Sequence, residues 1–105
     1  MEFEIIKFKN VTSTNDVAIN LIKENNKITG CVYADTQTKG RGTYGKKWIS
    51  ENGNLFSSLF FPLEKKYPSF NEFSLINSIL ISNVIQNFCK GKKLALKFPN
   101  DVFLN

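Results

Sequence analysis

The segment from Gln37 to Trp48 has the residue types from which an anion-binding loop can be built. It reads Q-T-K-G-R-G-T-Y-G-K-K-W and contains three glycines, one arginine, three lysines and two aromatic residues. Glycine lets the backbone approach a ligand closely and adopt positive φ. Cations beside exposed amide N–H groups suit phosphate or carboxylate. The simpler alternative is a flexible basic surface loop, and the composition of the segment does not exclude it.

The residue totals restrict the chemistry that this loop can take part in. The chain has no histidine and only two cysteines, Cys31 and Cys89, which are far apart in apolar surroundings. Zinc sites of the usual kind, Ser–His and Cys–His nucleophilic pairs and imidazole acid–base catalysis are therefore excluded. We expect two buried free thiols in a reducing compartment, and hence a cytoplasmic protein. The net charge of +5 favours an anionic partner.

The length and hydropathy of the chain predict one folded domain over residues 1–105. Of its residues, 42% are hydrophobic and 22% are charged, as in ordinary globular proteins. The chain does not open with a signal peptide, and no apolar run reaches the roughly 18 residues of a membrane span. We therefore expect no association with a membrane.

Two predicted strands flank the glycine-rich loop. Residues 28–36 contain a turn at Gly30 and then a strand that leads into the loop, and residues 55–61 form a buried strand after it. An earlier strand is predicted over residues 2–9, with Phe3, Ile5 and Phe8 on one side. A loop held between two core strands is where a rigid scaffold carries function.

The first predicted helix begins at Ser13. Ser13 and Asp16 have the spacing of a capping box, and the apolar residues of the helix lie at helical spacing up to Asn25 and Asn26. These apolar residues are Val17, Ala18, Leu21 and Ile22. Ser13 and Thr14 could serve only to cap the helix. Alternatively, the same hydroxyls at a helix N-terminus could also bind a polar ligand group.

A second capping box, Ser69 with Glu72, predicts a long helix that extends to about Phe88. Its broad apolar stripe is expected to be core. The stripe consists of Phe73, Ile76, Leu80, Val84 and Phe88, with Ile79 and Ile85 beside them. The order of elements predicts an α+β fold, in which a mixed β-sheet carries helices packed on one face.

The end of the chain is predicted to contain one strand and part of another. Residues 93–98 form a short strand, and Pro99 to Asp101 form a turn. Residues 102–104 resemble the start of a strand with nothing left to pair with it, which suggests that the fold is cut there. The alternative is that they pair with the preceding strand.

Three spaced motifs together resemble the catalytic domain of biotin–protein ligases. They are S-T-N at Ser13, Thr14 and Asn15, then Q with G-R-G-x-x-G-K-x-W from Gln37 to Trp48, then K-F-P-N-D from Lys97 to Asp101. Their order and spacing agree with the family, and the match spans nearly the whole chain. The resemblance implies a fold related to class II aminoacyl-tRNA synthetases and lipoate ligases, with its C-terminal part missing here.

The resemblance also implies two half-reactions. Biotin and ATP, with Mg²⁺, give biotinyl-adenylate, and a lysine of a biotin carboxyl carrier domain then attacks the adenylate. Positive charge must offset the repulsion between a carboxylate and a triphosphate, so positioning and electrostatic stabilisation can carry the rate. An enzyme of this kind needs no histidine.

The resemblance assigns roles to individual residues. Ser13, Thr14 and Gln37, with Asn15 beside them, would bind the ureido ring of biotin. Gly40 and Arg41 would hold the biotin carboxylate and the adenylate phosphate. The nucleotide would lie against Gly42, Thr43, Lys46 and Trp48, although Trp48 could instead be core. Lys97, Asn100 and Asp101 would lie by the phosphates, Mg²⁺ and the acceptor lysine, with Arg41, Lys97 and Asp101 as the catalytic residues. Asp101 would orient the attacking amine, unless it only shapes a turn.

The chain departs from the family pattern at several points. Thr43 replaces the usual arginine, so we expect the adenylate to be held less tightly. Lys46 replaces the usual arginine and Phe98 replaces the usual tryptophan, and we expect both changes to be tolerated. A later segment with a lysine that contacts the biotin carboxylate is absent, so weak activity at best is expected of this chain alone. No helix-turn-helix precedes the motifs, so DNA binding is not implied, and a homodimer stays open.

Three other functions remain open on the sequence. The first is a lipoate or octanoate ligase-like enzyme, although the glycine-rich loop of that family usually includes a histidine. The second is a non-catalytic fragment that binds biotin or nucleotide and is completed by another chain. The third is a general anion- or nucleic-acid-binding domain, which only the net charge supports.

Overall fold

The computed structural model describes residues 2–105, apart from the side chain of Thr43, and forms two compact units, Met1–Leu63 and Glu64–Asn105. The first unit contains three strands, one helix and a short 3₁₀ turn, Thr43–Gly45. The second contains one helix and two strands. In chain order the elements are β1 (Ile5–Val11), α1 (Thr14–Asn25), β2 (Gly30–Gln37), β3 (Phe56–Phe60), α2 (Phe70–Phe88), β4 (Leu94–Lys97) and β5 (Asp101–Leu104).

The first unit is built on a mixed three-stranded sheet with the order β1-β2-β3. Strands β1 and β2 run parallel, with Val11 opposite Gln37, and α1 provides the crossover that parallel strands need. Strand β3 returns antiparallel to β2, with Val32 opposite Ser58. The predicted α+β class with a mixed sheet is confirmed, and the glycine-rich loop does connect two neighbouring strands.

The core of the first unit lies between α1 and the sheet. Val32 is fully buried on β2, and Ala18 of α1 and Phe60 of β3 pack with it. Phe8, Val17 and Leu21 surround this cluster. Val17, Ala18 and Leu21 of the predicted apolar stripe thus face the sheet, whereas Ile22 of the same stripe is 45% exposed.

Two strand predictions need correction. In β1, Ile5 is 69% exposed and Ile6 is half-buried in its place, whereas Phe8 packs against the core as predicted. Strand β3 is not buried throughout: Ser58 and Phe60 face the core, and Leu59 is 55% exposed. Successive side chains of a strand alternate between faces, so a strand beside a single helix buries only one of them.

The second unit consists of α2 and an antiparallel pair of strands. The carboxylate of Glu72 accepts hydrogen bonds from the backbone N–H and the hydroxyl of Ser69, both at 2.8 Å, which confirms the predicted capping box. The hydroxyl oxygen of the buried Ser78 lies 2.9 Å from the Ser74 carbonyl oxygen and 3.2 Å from the Pro99 carbonyl oxygen, so it links α2 to the turn between β4 and β5.

Strand β5 has a partner, contrary to the prediction that residues 102–104 would lack one. Leu94 pairs with Leu104, Leu96 with Val102 and Lys97 with Asp101. The three-residue turn between Lys97 and Asp101 brings the strands together at once, because an antiparallel pair needs only a short connection.

The prediction that the apolar stripe of α2 is core is also wrong. Leu80, Val84 and Phe88 are 57%, 59% and 84% exposed, whereas Phe73, Ile76 and Ile85 are half-buried. A two-stranded ladder is too narrow to cover an apolar face of nineteen helical residues. Cys31 and Cys89 are free, as predicted, but half-buried rather than buried. In residues 2–105, no helix is long and apolar enough to cross a membrane.

Candidate functional site

The N-terminus of α1 begins at a buried serine and a buried threonine. Ser13, 4% exposed, has extended backbone and accepts a hydrogen bond from the Asp16 N–H at 3.4 Å, so it is the N-cap, as predicted. Thr14 is equally buried, but its side chain does not cap the helix. Its hydroxyl lies 2.8 Å from Ser58 Oγ and 3.2 Å from Gln37 Oε1. Capping alone therefore does not explain Thr14.

The side-chain amide of Gln37 connects this helix start to the glycine-rich loop. Its Oε1 accepts the backbone N–H of Thr14 at 2.8 Å, and its Nε2 donates to Ser50 Oγ at 3.1 Å. The parallel pairing of β1 with β2 makes this contact, because Val11, three residues before Thr14, lies directly opposite Gln37. The two hydrogen bonds fix which end of the amide faces Thr14.

The glycine-rich loop is folded back on itself rather than extended into solvent. The Trp48 N–H donates to the Gly40 carbonyl at 3.0 Å, and the Gly42 N–H donates to the Lys46 carbonyl at 2.6 Å. The loop is also attached to the end of β1, since the Lys39 N–H donates to the Thr12 carbonyl at 2.7 Å. These contacts argue against the freely flexible surface loop that the composition had left open.

Gly40 lies at the most crowded point of the loop. A Cβ added there would lie 2.6 Å from Ser50 Oγ and 3.1 Å from both Gln37 Nε2 and the Trp48 carbonyl oxygen. Any side chain at position 40 would therefore displace the serine that holds the Gln37 amide. This glycine is required for close packing, not for an unusual φ.

The guanidinium of Arg41 is paired with Asp16 in the first turn of α1. Its two terminal nitrogens donate to the two carboxylate oxygens at 2.8 and 3.0 Å. These hydrogen bonds are the main reason why the pKa of Asp16 lies below its ordinary value of 3.8, and the charges of Arg41 and Lys39 add to the effect against partial desolvation. The same hydrogen bonds raise the pKa of Arg41.

The structure thus brings together, in the first unit, the S-T-N helix start, Gln37, Gly40 and Arg41. Lys46 and Trp48 follow in the same loop as exposed side chains, and Trp48 at 56% exposure is not core. The predicted role of Thr43 concerns a side chain outside the described part of the chain. Lys97, Asn100 and Asp101 belong to the second unit, where all three are exposed and Lys97 pairs with Asp101 in the ladder.

Three residues of this site were not singled out for it in the sequence. Ser50 and Ser58 hydrogen-bond to Gln37 and Thr14, and Asp16 was expected only to take part in capping. Ser58 did carry a signal, because it is a hydroxyl between Phe56 and Phe60 on the inward face of an apolar strand. Among the described residues, no group of three or more His, Cys, Asp or Glu could hold a metal ion.

Comparisons with known proteins show what the chain is similar to. A family model described as the Biotin/lipoate A/B protein ligase family matches residues 7–105. The bifunctional ligase/repressor BirA of Escherichia coli is 34% identical over 95 residues, which cover 90% of this chain and 29% of the relative. The biotin–[acetyl-CoA-carboxylase] ligase of Paracoccus denitrificans is 29% identical over 75 residues, covering 70% of this chain and 31% of the relative.

Two solved structures show the same fold. The biotin protein ligase of Leishmania major, in complex with biotinyl-5-AMP, matches with a TM-score of 0.84 and 28% identity, over 100% of this chain and 49% of that one. The ligase of Aquifex aeolicus, in complex with biotin and ATP, matches with a TM-score of 0.79 and 32% identity, over 95% and 41%. The chain therefore spans half or less of the relatives that it matches.

Proposed function

Because this chain belongs to the biotin/lipoate A/B protein ligase family, we propose that it carries the biotin- and adenylate-binding part of a biotin–protein ligase. The proposed reaction is ATP-dependent adenylation of biotin, followed by transfer of biotin to a lysine of a biotin carboxyl carrier domain. The observation that carries the proposal is the Gln37 amide, which hydrogen-bonds to the S-T-N helix start on one side and to the glycine-rich loop on the other.

The polarity of this site suits a cyclic urea. Oε1 of Gln37 has a second lone pair beyond the one that accepts the Thr14 N–H, and Thr14 Oγ1 lies 3.2 Å away. A ligand N–H directed between these two oxygens would meet two acceptors. Nε2 of Gln37 has a second hydrogen, which can be donated to a ligand carbonyl. The ureido ring of biotin presents both an N–H and a C=O, so it complements this pair of residues.

The same polarity argues against the lipoate alternative. The dithiolane ring of lipoate has neither an N–H nor a carbonyl, so it would leave the oxygens of the buried Thr14 and the half-buried Gln37 without a new donor. A buried polar group that loses its partner costs roughly 1–3 kcal/mol. We therefore expect biotin to bind more tightly than lipoate by about tenfold or more.

Arg41 is positioned to receive an anion. Its guanidinium already holds the carboxylate of Asp16 in a two-point contact, which is the geometry that a carboxylate or a phosphate would use. In the proposed reaction, Arg41 and the backbone of Gly40 hold the biotin carboxylate and the adenylate phosphate. Gly42, Lys46 and Trp48 lie against the nucleotide, and their charge and N–H groups offset the repulsion between carboxylate and triphosphate.

The proposal assigns the second half-reaction to the turn after β4. Asp101 would orient the amine of the acceptor lysine, and Lys97 would lie by the phosphates. Asn100 and Asp101 offer oxygen ligands of the kind that Mg²⁺ prefers, and two such side chains are enough because Mg²⁺ takes its other ligands from phosphate and water. The ion would supply charge neutralisation at the triphosphate. The proposed partners are a carboxylase carrier domain and a second copy of this chain.

Titration calorimetry with biotin, lipoate, ATP and single-stranded nucleic acid tests the binding part of the proposal. We expect biotin to bind, lipoate to bind at least about tenfold more weakly, and Arg41→Gln to weaken the binding of biotin. Lys23→Gln is a matched control, because it removes one exposed cation from the last turn of α1. Equal affinity for biotin and lipoate, or tighter binding of single-stranded nucleic acid than of either, would overturn the proposal.

Transfer of biotin to a purified carrier domain, detected with streptavidin, tests the enzymatic part. We expect slow transfer that requires ATP and Mg²⁺. Binding of biotin without any transfer would favour a second candidate, a binding fragment completed by another chain. The exposed apolar residues of α2, among them Leu80, Val84 and Phe88, are the observation that favours this candidate.

A further inference from the structure

Ser58 lies at the centre of a row of hydrogen bonds at the helix start, of which the contact with Thr14 is buried. It is 9% exposed, and its hydroxyl oxygen lies 2.5 Å from Asn15 Oδ1 and 2.8 Å from Thr14 Oγ1. Its neighbours Ser57 and Leu59 are exposed, because they lie on the opposite face of β3. Ser58 is thus a polar side chain that β3 presents to the N-terminus of α1, as Gln37 is for β2.

The protons in this row can be assigned from donor and acceptor counts. Asn15 Oδ1 can only accept, so the single hydroxyl proton of Ser58 goes to Asn15. Ser58 Oγ must then accept from Thr14, because one of two hydroxyls 2.8 Å apart has to donate. Thr14 therefore gives its only proton to Ser58. The 3.2 Å contact between Thr14 Oγ1 and Gln37 Oε1 is left as two acceptors facing each other.

We propose that Ser58 is a positioning residue for the ligand site, because it holds the Thr14 hydroxyl in the acceptor orientation. This inference rests on the proposed function, in which the ligand donates an N–H between Thr14 Oγ1 and Gln37 Oε1. Without Ser58, the Thr14 proton turns to Gln37 Oε1, and the two oxygens satisfy each other. The site then loses its preference for a ligand that donates. Ser58 need not touch the ligand to have this effect.

Two ligands separate an effect on polarity from general damage to the fold. One is biotin, and the other is a biotin analogue in which oxygen replaces the ureido N–H facing this pair. We expect Ser58→Ala to weaken biotin binding by roughly tenfold, about the effect of one net hydrogen bond. It should leave the affinity for the oxygen analogue unchanged or increase it. The ratio of the affinity for biotin to the affinity for the oxygen analogue should therefore be lower in Ser58→Ala than in the unsubstituted chain.

Two variants complete the experiment. Ser58→Thr keeps a hydroxyl and should restore most of the preference for biotin, whereas Ser57→Ala removes an exposed hydroxyl of the same strand and should change neither affinity. Equal weakening of both ligands by Ser58→Ala would show a structural role and overturn the inference, as would unchanged binding of both. A wild-type chain that does not bind biotin would instead overturn the proposed function itself, and a separate thermal unfolding measurement establishes that each variant is folded.

Discussion

Arg41 and Asp16 form an ion pair in the candidate site, with two hydrogen bonds of 2.8 and 3.0 Å between guanidinium and carboxylate. They are 25 residues apart in sequence and are 47% and 40% exposed as side chains. The carboxylate of Asp16 is thus already bound to the guanidinium of Arg41, which we propose to bind the biotin carboxylate and the adenylate phosphate. A ligand anion has to compete with Asp16 for Arg41.

Substitution Asp16→Asn should therefore increase the affinity for anionic ligands. An exposed ion pair is weak and easily exchanged, so we expect biotin or ATP to bind only about threefold more tightly, as measured by calorimetry at low salt. Glu24→Gln removes one exposed carboxylate from the same helix and should have a smaller effect. Weaker binding by the Asp16 variant would mean that Asp16 orients the guanidinium and does not compete with the ligand.

Substitution Gly40→Ala should disturb the loop, because its Cβ would lie 2.6 Å from Ser50 Oγ. Relief of such a contact moves Ser50 away from Gln37 and costs roughly 1–3 kcal/mol of folding stability. Gly42→Ala is the matched control for stability, since its nearest neighbour would be 3.5 Å away, an ordinary contact. Chemical denaturation of both variants measures the difference, and equal stability of the two would contradict the packing described for Gly40.

A compensating pair of substitutions tests the core of the first unit. A Cβ at Gly30 would lie 2.5 Å from the ring of Phe60, so Gly30→Ala should destabilise the chain by roughly 1–3 kcal/mol. Phe60→Leu makes room at the same place. The loss of unfolding free energy in the double variant should then be smaller than the sum of the two single losses by at least about 0.5 kcal/mol. Simple additivity in urea unfolding would show that the two residues do not share this space.

The capping box of α2 should make the stability of the second unit sensitive to acid. Hydrogen bonds from the side chain and backbone of Ser69 hold the pKa of Glu72 below its ordinary value of 4.5. A carboxyl group with a lowered pKa in the folded state stabilises the fold above its unfolded pKa. That contribution is lost as the pH falls through the lower folded value.

Glu72→Gln removes this titration and should flatten the dependence of the unfolding free energy on pH over the acid range. Glu51→Gln, which changes an exposed carboxylate just before a turn, serves as the control. A direct measurement is an NMR titration of the Glu72 side chain. A folded pKa at or above 4.5 would contradict the assigned hydrogen bonds.

The local signals of the sequence were sufficient for the elements and for part of the site. Ser13 before an apolar stripe, and Ser69 three residues before Glu72, located both helix starts, because capping depends on neighbours within one turn. The spacing of the S-T-N, glycine-rich and K-F-P-N-D motifs was sufficient for the family. Which apolar faces are buried was not predictable in the same way. The spacing of apolar residues in α2 shows that the helix has an apolar face, but it does not show what packs on that face.

The contacts between segments were decided only by the tertiary structure. Thr14 reaches Gln37 across 23 residues and Ser58 across 44, and both contacts follow from the register in which β1, β2 and β3 pair. A shift of one residue in that register would turn Gln37 and Ser58 to the opposite face. The sequence by itself therefore determined which residues were available for a ligand, and strand pairing determined that Thr14, Gln37 and Ser58 share one hydrogen-bonded row, because hydrogen bonds depend on distance in space.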